Sequence, residues 1–63
     1  MAIVRVHAIT GEVFEERSAL SADDLMYGIA ECFQRHSEYF ALERSGYILP
    51  IHNIAYIEVE DEN

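Results

Sequence analysis

The residues best suited to chemistry are one cysteine and three histidines, of which Cys32 and His36 stand four positions apart. On a helix this spacing puts both side chains on one side, close enough to share a metal ion. His7 and His52 would have to complete the ligand set, but they belong to other segments. Cys32 also lies in an apolar stripe, where a free cysteine usually packs as a small hydrophobic residue. We predict no metal, no cofactor and no Cys–His nucleophile.

The twelve carboxylates include no recognisable pair of general acid and base. Glu15 and Glu16 are adjacent, so on a strand their side chains point to opposite faces. A catalytic dyad needs two carboxyl groups aimed into one cleft, and a chain this short buries only about 60% of its unfolded surface. We therefore predict no catalytic residues and no enzyme activity.

Charge is the strongest lead to a function. Four arginines, no lysine and twelve acidic residues give a net charge of −8 and a pI near 4.5. Direct binding to nucleic-acid phosphates needs clustered Lys and Arg, so it is disfavoured. An acidic surface usually serves solubility. The alternative is that the protein imitates nucleic acid and occupies a basic groove built for DNA or RNA.

Imitation of DNA requires the acids to cluster. Spread evenly, twelve carboxylates give about one charge per 340 Å², roughly a third of the density on DNA. Glu58, Glu60 and Glu62 alternate, so on one strand they would share a face about 6.6–6.8 Å apart, similar to the step between phosphates. Arg5 and Arg17 are expected to pair with acids of the first hairpin. The predicted phosphate-mimicking contacts to a basic, nucleic-acid-handling partner are Glu12, Glu15, Glu16, Glu58, Glu60, Asp61 and Glu62.

Alternation of apolar and polar residues predicts the strands that position these groups. The predicted strands are residues 2–9, 12–17, 39–44, 47–51 and 54–60. The first two form a hairpin at Thr10-Gly11, and Pro50 belongs at an edge or a break because it lacks an N–H. The order ββαββ, with the final segment either continuous or split in two, predicts an α+β fold: a small antiparallel sheet of four to five strands with one amphipathic helix across it. Residues 1–63 form a single domain, and the acidic tail 61–63 is expected to fray.

The best-marked element is the amphipathic helix, predicted over residues 22–36. Ser21 is a good N-cap, and Asp23 and Asp24 follow in the first turn. Gly28 interrupts the helix at a cost of about 1 kcal/mol relative to alanine. Either a partner approaches there or the sheet lies too close for a side chain, and we favour the sheet. The candidate interface aromatics, which could equally cover a small sheet, are Tyr27, Tyr47 and Tyr56.

Other features bear on the compartment. No apolar run approaches the ~20 residues of a spanning helix, so no membrane association is expected. Residues 1–5 lack the charged segment and long apolar core of a signal peptide. A single cysteine cannot form an internal disulfide. We expect a cytoplasmic protein.

In its size, acidity, lack of a catalytic motif and ββαββ-type order, the chain resembles the small acidic inhibitors that phages and mobile elements encode against host defence, including anti-CRISPR and anti-restriction proteins. Residues 51–60, IHNIAYIEVE, are also similar to small phage and plasmid proteins of unknown role. The resemblance implies a stoichiometric DNA mimic in the host-cell cytoplasm that blocks target-DNA recognition by a CRISPR effector complex.

A different class of function fits the same composition. Below roughly 70–80 residues a single core rarely supplies more than about 3–5 kcal/mol, so self-association, for example as a homodimer, is a reasonable expectation. The protein would then be a homo-oligomeric scaffold or regulatory interaction module, and its acids would only solvate the surface. The arrangement of the acids in the folded chain bears on this choice.

Overall fold

The computed structural model describes residues 1–62. It has an α+β fold whose elements follow the predicted order. The segment after residue 46 forms two strands separated by a short turn. The elements are β1 (Ala2–Ala8), β2 (Val13–Ser18), α1 (Ala22–Gln34), β3 (Tyr39–Leu42), β4 (Tyr47–Pro50), a 3₁₀ turn (Ile51–Asn53) and β5 (Ile54–Asp61). In this part of the chain, no helix is long and apolar enough to cross a lipid bilayer.

The five strands are divided between two antiparallel sheets, where the sequence predicts one. β1 is the central strand of a sheet in the order β2-β1-β5, and β3 pairs with β4 in a separate hairpin. β4 ends at Pro50, which has no N–H to continue a ladder, and the 3₁₀ turn redirects the chain. Ile9 donates its N–H to the Asn53 carbonyl at 2.8 Å, which holds this turn beside the end of β1. β5 consequently pairs with β1.

The alternation of buried and more exposed side chains along β1 determines which side of the sheet faces the interior. Ala2, Val4 and Val6 point to one side and are buried. The helix and the β3–β4 hairpin pack on this side, where Leu42 and Leu49 join the two valines in one buried cluster. Each strand of the hairpin thus contributes one leucine to the core.

The helix begins where predicted and ends two residues early. Ser21 Oγ accepts the N–H of Asp24 at 3.2 Å, as an N-cap does. At the other end His36 adopts a left-handed conformation with φ 55°, and its N–H and that of the next residue donate to carbonyls of the last turn. This is a Schellman motif, which most often has glycine at that position. The prediction that the helix extends to His36 was wrong because the residue that terminates the helix is a histidine, whereas glycine is the residue that usually indicates a helix C-terminus.

The acidic end of the chain is tied to the sheet. Asp61 is the last residue of β5, opposite Ala2, and the N–H of Glu62 donates to the Met1 carbonyl at 3.1 Å. These two residues of the tail that was predicted to fray are thus hydrogen-bonded to the beginning of β1 and to the residue before it. Asn63 lies outside the described residues.

The interior is small for the surface that the chain presents. Five apolar residues are buried, whereas eleven large hydrophobic side chains are exposed among residues 1–62. The accessible surface of 4514 Å² exceeds the ~4,100 Å² expected of a compact 7.2 kDa chain. Every residue of α1 keeps part of its surface exposed. The protein therefore presents apolar surface that its own fold does not cover.

Replacing Leu42 with alanine tests how much the hairpin stabilises the sheet. Leu42 is 2% exposed, so truncation leaves a cavity and should lower the free energy of unfolding by about 2–5 kcal/mol. The matched control is Tyr27→Ala, where the side chain is 75% exposed and the change should stay within about 0.5 kcal/mol. Urea denaturation followed by circular dichroism measures both, and equal losses would contradict the buried role of Leu42.

Candidate interaction surfaces

The side of the three-stranded sheet that faces away from the helix, here called the outer sheet face, holds a network of charges. Its residues are Val13, Glu15 and Arg17 of β2, Ile3, Arg5 and His7 of β1, and Tyr56, Glu58 and Glu60 of β5. Arg5 lies between the two neighbouring strands, with Nε 2.8 Å from Glu15 and Nη1 2.9 Å from Glu60. The hydrogen bond with Glu60, followed by that with Glu15, raises the pKa of Arg5 above its ordinary value. The Arg5 guanidinium therefore stays protonated between its two carboxylates over the physiological pH range.

A histidine and a second arginine on the outer sheet face also contact acids. His7 contacts the carboxylate of Glu58 and stacks on Tyr56, with ring centroids 4.1 Å apart and planes 13° from parallel. Arg17 Nε lies 3.1 Å from Glu62 Oε2, so the two side chains form an ion pair. Glu62 Oε2 is buried and accepts no hydrogen bond of good geometry. Arg5, His7 and Arg17 thus separate the acids of this face.

Four of the seven acids predicted to imitate phosphates meet at this face. Glu15, Glu58 and Glu60 belong to it, with Glu58 and Glu60 on one side of β5 as expected, and Glu62, which follows β5, reaches its edge through the ion pair with Arg17. Each has a cationic or titratable partner. Arg5 pairs with a hairpin acid as expected, whereas Arg17 reaches the end of the chain instead. The four acids form an interleaved network and not a continuous negative stripe.

The other three acids lie elsewhere. Glu16 is on the interior side of β2, where Oε1 accepts the N–H of Ser45 at 2.8 Å and its hydroxyl at 3.0 Å. Glu12 is in the turn after β1 and accepts a hydrogen bond from the Thr10 hydroxyl at 3.3 Å. Asp61 stands opposite Ala2, on the interior side of β5. Glu16 has a structural role, because it ties the hairpin turn to the sheet.

The outward side of the β3–β4 hairpin, here called the hairpin face, is an exposed apolar surface. Tyr39 pairs with Pro50 and Ala41 with Ile48, so these four uncharged side chains share one side. All four are exposed, Tyr39 by 57% and Ile48 by 67%. Alternation along β3 puts Tyr39 and Ala41 on one face, but it does not single out Ile48, because the register between β3 and β4 depends on turn geometry that composition leaves open.

An open groove of ≈ 510 Å³ lies between the helix and β3. Its apolar lining includes Leu25 and Ile29 of α1 and Phe40 of β3. Gly28 borders the same groove, and a β-carbon added there would meet no atom within 4 Å. The favoured explanation, that the sheet lies too close to Gly28 for a side chain, was wrong because this part of the helix faces open space.

The three candidate interface tyrosines lie on different parts of the molecule. Tyr27 projects from α1 and Tyr56 stacks on His7 at the outer sheet face. Tyr47 packs against Phe14, with ring centroids 5.0 Å apart. They therefore do not make one aromatic surface.

Cys32 and His36 do not come together with further metal ligands. Cys32 is half-buried, and its Sγ lies 4.0 Å from the Tyr39 carbonyl oxygen. His36 takes the left-handed position that ends the helix. Among residues 1–62, no group of three His, Cys, Asp or Glu side chains is arranged to hold a metal ion. Cys32 thus packs as a small side chain between the helix and β3.

Comparison with protein-family models, with curated proteins and with solved structures finds no match for the chain.

Replacing Gly28 with alanine should stabilise the protein by about 1 kcal/mol, because alanine favours a helix and its methyl group meets open space. Gly46→Ala is the matched control: space is open there too, but φ is +76°, so alanine should destabilise. Urea denaturation measures both. A loss of stability in Gly28→Ala would mean that the groove closes onto the helix in solution.

Proposed function

We propose that the protein is a non-catalytic interaction module that acts as a homo-oligomer, with its acids serving the fold and its solubility. One observation carries this proposal: eleven large hydrophobic side chains are exposed around a core of five buried residues, among the residues that the structure describes. Soluble monomers expose scattered apolar residues routinely, but a surface larger than expected combined with so small a core favours an oligomer.

The arrangement of the acids supports solvation and folding over contact with a basic partner. Glu15 and Glu60 hold Arg5 between them, and Glu16 holds the hairpin turn. Carboxylates engaged in this way would have to break those interactions before they could bind a partner's cations. Exposed ion pairs contribute little stability, so this obstacle is modest, but it removes the advantage of a preformed negative stripe.

Self-association would also compensate for the limited surface that a short chain can bury. A domain of 63 residues buries a smaller share of its unfolded surface than a larger domain does, and a second copy adds apolar contact without lengthening the chain. A homo-oligomer of this kind could act as a scaffold or as the regulatory subunit of a larger assembly.

A DNA-mimicking inhibitor of a basic, nucleic-acid-handling protein is the second candidate. Four acids on the outer sheet face and a net charge of −8 favour it. An anti-CRISPR role would be one case of this function. It requires Glu58 and Glu60 to break their contacts with side chains of this chain and to bind cationic side chains of the target instead.

The oligomeric state tests the first proposal. Sedimentation equilibrium should give a mass at least twice the 7.2 kDa of the chain. Association should strengthen as NaCl is raised from about 0.1 M to about 1 M, because the Debye length falls from ~10 Å to ~3 Å and repulsion between acidic copies is screened. A monomer at every concentration up to the solubility limit would contradict the proposal.

The mimicry candidate makes the opposite prediction about salt. Proteins captured on the immobilised chain from a lysate should be released as salt is raised, and the double variant Glu58→Gln, Glu60→Gln should lose them. The control Asp23→Asn, Asp24→Asn removes the same number of charges from the helix. Capture that ignores Glu58 and Glu60 would exclude this face as the contact.

A further inference from the structure

We infer that two copies of the chain associate through their hairpin faces, so that Tyr39, Ala41, Ile48 and Pro50 of each copy form the contact. This inference rests on the proposed homo-oligomeric function and deepens it, since it names the partner as a second copy and the surface as one side of a single hairpin.

Charge is the first argument for this surface. Each copy carries a net charge of −8, so two copies repel at long range and like charges pressed together in a contact raise its free energy further. The four side chains of the hairpin face are uncharged at neutral pH, and cross-strand pairing places them side by side. Two such faces can meet without bringing carboxylates of their own into opposition.

Two other exposed aromatic side chains, Tyr27 and Tyr56, stand among acids. Tyr27 is exposed on α1, but Asp23 and Glu31 lie one helical turn to either side of it. Tyr56 is next to Glu58 on the outer sheet face and stacks on a histidine there. A symmetric contact through either region would oppose acids of both copies, so the hairpin face is favoured.

Shape is the second argument. An open hollow adjoins the hairpin face and is lined by Tyr39, Ile48 and Pro50 together with Ile51 and His52. One carboxylate, Glu38, also borders it. In a two-fold contact the same patch is used by both copies, so a side chain that projects from one hairpin can enter the hollow of the other.

The area of the contact indicates its strength. A standard interface buries about 800 Å² on each partner, whereas the hairpin face is a small part of the 4514 Å² surface. The hollow must therefore contribute, and the dimer belongs to the small, weak class. We expect a dissociation constant of roughly micromolar order.

The same contact would complete the packing of the hairpin. β3 and β4 have four residues each, and Leu42 and Leu49 anchor only their inner side. A two-stranded sheet is marginal by itself, and a second copy would cover its outer side.

The test introduces one negative charge at the proposed contact. Ile48→Glu puts a carboxylate on both copies at the centre of the hairpin face and should weaken dimerisation by about tenfold or more. The matched control is Tyr27→Glu, which adds the same charge at an exposed helix position and should weaken it by less than about threefold, through net repulsion alone. Sedimentation velocity over a concentration series gives both constants, and circular dichroism checks that each variant folds.

A second variant guards against misfolding of Ile48→Glu. Ile48→Thr keeps a β-branched residue suited to a strand and adds no charge, so it should fold and still weaken the dimer measurably. Equal weakening by Ile48→Glu and Tyr27→Glu, or a dimer that ignores both Ile48 variants, would overturn the hairpin contact while leaving the homo-oligomer intact. A wild-type chain that stays monomeric would overturn both proposals.

Discussion

The structure depends on one strand, β1, which lies between β2 and β5 and has two different sides. Ala2, Val4 and Val6 on one side supply most of the core, while Arg5 on the other stands between acids of both neighbouring strands. Because a pleated strand alternates strictly, the register that buries the valines also places the arginine. A slip of one residue would expose the core and bury the cation at the same time, so packing and charge select the same pairing.

This coupling gives the acids two separate roles. Those that face Arg5, His7 and Arg17 hold neighbouring strands together across the outer sheet face. Glu58 and Glu60 are among these acids, and they have a second effect because β5 is an edge strand: charged residues along an exposed edge discourage pairing with another chain, which an eight-residue strand would otherwise invite. Growth of the sheet from β5 is therefore opposed.

Local patterns predicted what depends on local structure. The alternation of β1, the Ser21 cap and the shared side of Glu58 and Glu60 all follow from periods of two or 3.6 residues. The partner of Glu60 does not, because Arg5 is far away in sequence and meets it only through strand pairing. The sequence does not predict the division into two sheets for the same reason. Pro50 indicates a break, but the pairing of the strand that follows depends on the edge of β1 that β2 leaves unpaired.

The candidate site shows the same limit. The acidic pattern stood out in the sequence, yet folding brings cations among four of the acids and sends Glu16 to a hairpin turn. The hairpin face did not stand out, because Tyr39 and Ile48 become neighbours only through the register of two short strands. A run of acidic residues can be recognised in the sequence, whereas an uncharged patch forms only when folding brings residues from different strands together. In the dimer that we propose, this uncharged patch lets two acidic copies meet without opposing the carboxylates of the outer sheet face, so the acidity of the rest of the surface would itself limit where a second copy binds.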